Sequence, residues 1–315
     1  MTQKLRIRID SFSFDKKPLL QNIEFSVLPG EHLSILGKSG SGKSTLLHLI
    51  YGLIPLENGG VYYGKSKVPG PSDLLIPGAE YMKMVTQDDT LLHYATVAEN
   101  IATHLTHSDK NRNRIDELLK LVDLLSFKDE KVQILSGGQK QRIMIAKALA
   151  NKPKILLLDE AFSNIDFVQK IKLRQKIFQF LKQENISCIS ATHDSEEALS
   201  YADRILILHN QQILKSGTPE EVYFGVKTEE EAGFFGIYNL ISPAVFPELT
   251  KKEMIKFPHQ LKPTQKYSGD FSVEIVGNYF KGSHYLVQGT YKDRYFYFKH
   301  SEKLLLGSQQ WLKIV

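Results

Sequence analysis

Cysteine is nearly absent: Cys188 is the single one in 315 residues. A disulfide framework is thereby excluded, and a reducing compartment fits. In the strand-like ISCISAT that thiol reads as a small buried hydrophobe. No apolar run approaches the ~18–20 residues that a membrane helix needs, and MTQKLRIRIDSFSFDKK lacks the apolar centre of a signal peptide. Work at a membrane is therefore expected from the cytoplasmic side, through partners. A basic arm is lacking as well. Residues 1–240 carry 29 Lys and Arg against 29 Asp and Glu, while residues 241–315 carry 11 against 6, the whole of the +5 excess. Those lysines are scattered through strand-like sequence, so a solvated β surface is expected and no nucleic-acid partner.

What is present is ordinary globular composition, 42% hydrophobic and 24% charged, long enough for about two domains. LRIRIDSFSF, IEFSVLPG and HLSILG alternate like strands, and the last runs through glycines into the helical TLLHLIYGL. TVAENIATHL, RIDELLKLVDLL and SGGQKQRIMIAKALA are three helical patterns with no strand between them. Strand signals return at KILLLDE, SCISATH and RILILHN, which predicts a parallel α/β core with an inserted helical subdomain at 88–153. After a connecting segment at 226–245, short aromatic strands over 246–315 predict a small all-β, barrel-like domain.

Three stretches carry chemistry. In Gly37-Lys38-Ser39-Gly40-Ser41-Gly42-Lys43-Ser44-Thr45 the glycines let successive N–H groups point inward as an anion nest. Strand, glycine loop and helix in that order are the context of a phosphate loop, with Lys43 facing the β- and γ-phosphates and Ser44 on Mg²⁺. ILLLDE is an apolar run ending in Asp159 and Glu160, at the carboxyl end of a strand buried on both faces. Asp159 suits the metal, and Glu160 suits a general base polarising water. His193 ends the next strand and should reach the same edge; the other nine histidines read as structural. LSGGQKQR is a second glycine pair opening a helix, and helix starts present unpaired N–H groups to anions.

Phosphate loop, LSGGQ and LLLDE in that order resemble the ATP-binding cassette (ABC) family. The resemblance covers residues 1–225 and implies a P-loop NTPase core whose parallel sheet has flanking antiparallel strands. VTQDDTLLHYATVAENI resembles the family's Q-loop, placing Gln87 at Mg²⁺ and the attacking water; SNID resembles the D-loop, with Asp166 at its aspartate; ATHD supplies the switch histidine, His193. Phe14 falls where the family stacks an aromatic on adenine. Ala161 in place of a frequent proline, Phe14 in place of the commoner Tyr, and SNID for SALD are departures that remove no metal ligand, phosphate donor or base. Family members close head to tail, each ATP lying between one chain's phosphate loop and the other's LSGGQ. The resemblance thus implies that Ser136, Gly137, Gly138 and Gln139 serve the partner's nucleotide.

The resemblance implies an ATPase subunit of a membrane importer at the cytoplasmic face of the inner membrane. Its expected partners are a second ATPase chain and permease subunits held at the Q-loop and helical subdomain, with an extracytoplasmic substrate-binding protein acting indirectly. Its tail resembles a transport-associated oligonucleotide-binding-like domain. The other reading is a soluble ABC ATPase acting on nucleic acid or ribosomes. The chain has no room for a long coiled-coil insertion and only one cassette, which favours the transporter.

Overall fold

The computed structural model describes residues 3–315 apart from 16, 75, 89, 104 and 106–108, and of residues 109–111 the backbone alone. It divides into two compact units, Met1–Val222 and Tyr223–Val315.

In the first unit, β1 (Leu5–Phe14) and β2 (Lys17–Val27) open an antiparallel sheet. Leu5, Ile7 and Ile9 are buried while Arg6, Arg8 and Asp10 are exposed, the period-2 pattern of a half-buried strand. β3 (His32–Leu36) leaves for a second sheet, whereas β4 (Asn58–Tyr63) and β5 (Ser66–Lys67) complete the first in the order β2-β1-β4-β5. The second sheet adds β6 (Met82–Val85), β7 (Ile155–Asp159), β8 (Ser187–Thr192), β9 (Arg204–His209) and β10 (Gln212–Gly217), ordered β10-β9-β3-β8-β7-β6. Every pairing in it is parallel except the β9–β10 hairpin. Asn210 and Gln211 both have positive φ there, the backbone of a two-residue turn that follows strand twist.

β7 shows why a parallel strand reads as an unbroken apolar run. Leu156 and Leu158 pack into a core with the helical segments, while Ile155 and Leu157 pack into a core with the antiparallel sheet. Each of these side chains contributes roughly 1.5–3 kcal/mol by leaving water, so neither face tolerates a polar residue. The helices that pack around the second sheet include α1 (Lys43–Tyr51), α2 (Val97–Ala102), α3 (Asp109–Leu121), α4 (Gly137–Leu149), α5 (Phe167–Gln183) and α6 (Ser195–Tyr201). α2 starts on a capping box between Thr96 and Glu99.

His32, the first residue of β3, is buried and stacked on Phe178 with ring centres 4.2 Å apart. Its Nδ1 sits 2.8 Å from the Tyr201 carbonyl, which can only accept, so Nδ1 carries the proton and Nε2 accepts from Ser190 Oγ at 2.9 Å. Burial lowers its pKa from 6.5 to about 4. Between those values the unfolded chain binds a proton that the folded one refuses, so stability rises with pH and is fully present above 6.5. Acidification through that window is expected to remove about 3 kcal/mol through this residue. Urea unfolding of wild type and His32→Leu at neutral and acidic pH checks it. Equal acid losses in both proteins would disprove the assignment.

In the second unit, β11 (Asn239–Ile241) pairs with β12 (Met254–Lys256). β13 (Leu261–Thr264), β14 (Phe271–Phe280), β15 (Tyr285–Tyr291), β16 (Arg294–His300) and β17 (Gln309–Ile314) form an antiparallel sheet ordered β13-β17-β14-β15-β16. Phe246, Phe271, Phe296 and Phe298 fill its core. The segment 226–245 falls within this unit and contains β11. Buried Asn239 donates to the carbonyls of Lys256 and Tyr297 at 3.1 and 2.8 Å and accepts from Tyr297 N–H at 2.6 Å, tying β11 to β16.

Candidate nucleotide site

The order β3-β8-β7 puts three strand ends side by side, and the register aligns Leu36 with Thr192 and Asp159 with Ala191. The next residues, Gly37, His193 and Glu160, therefore leave the sheet at one edge. That edge is the carboxyl side, where open α/β sheets bind ligands.

Gly40 and Gly42 have φ of 79° and 98°, a backbone that only glycine enters without cost. Gly42 stands at the N-cap of α1 with no side chain over the helix start. Lys43 is almost fully buried, and its Nζ donates to the carbonyls of Gly37 and Lys38 at 2.9 and 3.1 Å. The lysine thus ties the loop's first turn to the helix. Burial lowers its pKa, against the pull of Glu160 and Asp159. The Ser41 hydroxyl is buried among these groups with no partner, a donor that a phosphate oxygen would satisfy. Lys38, Ser39 and Gly40 form the exposed rim, and Thr45 is half-buried in the first turn of α1.

Two pairs stand beside the loop. Ser44 Oγ donates to Asp159 Oδ1 at 3.0 Å, although the two are far apart in sequence. Burial pushes the Asp159 carboxyl up, and the Ser44 hydrogen bond draws it back. One carboxylate and one hydroxyl, both hard oxygens, are the few protein ligands that Mg²⁺ takes when phosphates and waters complete its octahedron. In the second pair, His193 Nδ1 lies 3.1 Å from Glu160 Oε1. Glu160 has φ of 47°, left-handed and costly for a residue with a Cβ. Its N–H donates to the Ala191 carbonyl at 3.1 Å, so β8 holds the turn that aims the carboxylate.

The remaining residues of interest lie elsewhere. Phe14 ends β1 half-exposed, edge-on to Phe12 at 5.1 Å. Gln87 is exposed just beyond β6, and among the described residues no hydrogen bond joins it to Ser44 or Asp159. Ser136 caps α4: its Oγ accepts from Gln139 N–H at 3.3 Å, and Gln139 Oε1 accepts from Ser136 N–H at 2.9 Å. The Ser136 hydroxyl proton is not used by that box. A Cβ on Gly137 would meet open space, whereas one on Gly138 would lie 2.8 Å from the Asn164 carbonyl oxygen. Asp166 precedes α5 exposed, without capping it.

Sequence reasoning missed the residues that brace this edge. Buried Arg174 of α5 bonds Asp194 at 3.0 Å and also pairs with Glu197 of α6, its guanidinium lying 5.4 Å from the Phe162 ring centre. Burial pushes the Glu197 carboxyl up to about 7 against the pull of Arg174. Thr192 and Asp194, the neighbours of His193, both belong to this network. Gln141, buried in α4, is the other. A lone arginine or glutamine on a helix gives no spacing signal.

A groove of about 1270 Å³ opens in the same unit, lined by Tyr51, Tyr81, Met84, Met144 and Lys147 among others.

Residues 20–163 match the ABC transporter family. The chain carries an ABC transporter domain. The spermidine/putrescine import ATP-binding protein PotA of Escherichia coli (strain K12) is 34% identical over 246 residues, 76% of this chain and 64% of the relative. PotA of Aliivibrio fischeri is 36% identical over 249 residues, 78% of this chain and 66% of the relative. The chain thus spans just under two thirds of the length of these curated relatives. Among solved structures, cbiO1 from Clostridium perfringens, described as part of the ABC transporter complex cbiONQ, superposes with a TM-score of 0.63. It is 25% identical, over 79% of this chain and 96% of that one. A bacterial Atm1-family ABC exporter with ATP bound shares the fold, with a TM-score of 0.64 at 23% identity over 74% of this chain and 42% of that one. The expected fold of the ABC domain is borne out: a P-loop core with parallel and antiparallel strands, and a C-terminal all-β sheet.

Proposed function

We propose that this chain is the ATP-binding and ATP-hydrolysing subunit of a membrane importer, working as a head-to-tail dimer at the cytoplasmic membrane face. The observation that carries the reading is the edge at β3, β8 and β7, where a phosphate loop, the Ser44–Asp159 pair and the Glu160–His193 pair meet. Ser44 and Asp159 would hold Mg²⁺, with Gln87 reaching it on closure, and the bound ion neutralises charge on the β- and γ-phosphates. Lys43 and the loop N–H groups cradle the phosphates. Glu160 takes the proton of the attacking water, and His193 orients that carboxylate and faces the γ-phosphate. Phe14 offers its exposed ring to adenine.

Ser136 to Gly138 make no bond to this loop among the described residues, and Gly137 faces open space. That is what a donor set serving a second chain's nucleotide requires, with Asp166 at the same seam. The groove of about 1270 Å³ beside Met84 and Met144 is the surface we assign to a helix of a permease subunit. Among the described residues no helix is long and apolar enough to cross a membrane; in this reading the pore is supplied by a partner. Similarity to the two PotA relatives makes a polyamine the first cargo to test.

Mixed dimers test the assembly. With Lys43→Ala in one chain and Ser136→Arg in the other, both lesions fall in one site, and single-turnover trapping should find one occluded ATP. With both lesions in one chain and wild type opposite, each site is damaged and none should be occluded. The reverse pattern would mean that each site is built within one chain.

A further inference from the structure

Gln141 sits in the second turn of α4, almost fully buried, and spends both ends of its carboxamide on one loop. Its Nε2 donates to the Glu160 carbonyl at 3.3 Å, and its Oε1 accepts from Asn164 N–H at 3.1 Å. The Glu160 carbonyl also accepts from Ser163 N–H at 3.1 Å, so the turn after β7 is closed from inside and from the helix. One helical turn earlier, Gly138 brings the backbone of α4 against Asn164 so closely that a Cβ would collide with its carbonyl oxygen. The start of α4 and the turn carrying Glu160 are therefore fastened at two points.

We propose that Gln141 is a positioning residue for ATP hydrolysis: it holds the backbone of Glu160 in its left-handed conformation and links that base to the helix start that faces the neighbouring nucleotide. The inference rests on the ATPase reading above. The geometry gives the reason for glutamine. Glu160 has no Cβ-compatible preference for φ of 47°, so something outside the residue must maintain it. A carboxamide supplies one donor and one acceptor a fixed distance apart, matching one carbonyl and one N–H of the same loop. A carboxylate keeps the acceptor and loses the donor; a thioether loses both. Because Ser136 caps the start of α4, any shift of that helix start reaches the loop carrying Glu160 through two hydrogen bonds, one to Glu160 itself and one from Asn164, within one chain. Each site's base would then respond to whether the opposite site is filled.

The test uses the full chain with Mg-ATP, wild type first. A wild type that does not hydrolyse ATP overturns the ATPase reading itself, before Gln141 is in question. Given wild-type turnover, Gln141→Glu and Gln141→Met are expected to lower kcat tenfold or more while KM and ATP affinity stay within twofold, since the Gln141 carboxamide bonds Glu160 and Asn164 and, among the described residues, no residue of the phosphate loop. Circular dichroism and melting establish that each variant is folded; Gln141→Glu, nearly isosteric, decides alone if Gln141→Met does not fold. A residue that only fills space would change melting and leave kcat untouched, and that result would overturn the proposal. So would a rise in KM at constant kcat, which would place Gln141 in ground-state binding.

Discussion

Glu160→Gln is expected to bind ATP at wild-type affinity and to lose turnover by about 10²–10⁴-fold, the usual worth of a positioned base. The substitution is close to isosteric. The backbone bonds of residue 160 to Ala191, Ser163 and Gln141 do not involve the side chain, so the turn should survive. The amide oxygen can still accept from His193 Nδ1, now 3.1 Å from the carboxylate. What disappears is a group able to take a proton from water at neutral pH. In the proposed head-to-tail dimer, which removal of the γ-phosphate would reopen, the variant keeps the phosphate loop and the α4 start and should close on Mg-ATP and stay closed. Gel filtration with Mg-ATP should show a dimer that wild type populates only in passing, and steady-state phosphate release should be near background. Turnover at the wild-type rate would strip Glu160 of its role and leave His193 as the nearest remaining candidate.

The parts legible in sequence are those where one local pattern implies its own surroundings. ILLLD reads as a doubly buried strand because both faces of β7 meet apolar cores. The glycine loop is legible because positive φ at Gly40 and Gly42 is required just where the sequence has glycine. Thr96 and Ser136 announce their helices through side chains that cap three residues on.

What was illegible depends on contacts remote in sequence. β11 has only three residues, too few for a period to show, and its place is set by Asn239 reaching β16. In GIYNLISP that asparagine looks like loop punctuation. The β9–β10 turn carries no glycine, so Asn210 and Gln211 give little warning of positive φ. Gln141 lies within LSGGQKQR, yet nothing in the string says that its side chain turns inward to the loop after β7. Arg174 and Glu197 each look like surface charges on amphipathic helices; only tertiary packing makes them a buried pair.

Lys43→Ala should be the most damaging change to nucleotide binding, and its effect has two separable sources. The first is lost charge. A charge-assisted hydrogen bond is worth about 1.5–3 kcal/mol, which at about 1.4 kcal/mol per tenfold corresponds to roughly 10- to 100-fold in affinity. Burial lowers the Lys43 pKa against the pull of Glu160 and Asp159, and an ammonium that donates to the Gly37 and Lys38 carbonyls keeps a third N–H for a phosphate oxygen. The second source is the loop itself. Without the ammonium, the carbonyls of Gly37 and Lys38 lose their donor at the point where the loop leaves β3. A loop free to reorient must be ordered again by each nucleotide, which adds an entropic cost to binding. Total weakening of at least a hundredfold is therefore expected by equilibrium titration with a fluorescent ATP analogue. Ser44→Ala is the control that divides metal from phosphate. With Mg²⁺ chelated, Ser44→Ala should match wild type while Lys43→Ala stays weak, because only the second contact is with phosphate. Lys43→Ala binding within twofold of wild type, with or without Mg²⁺, would show that the buried ammonium serves the loop alone and that the phosphates are held elsewhere.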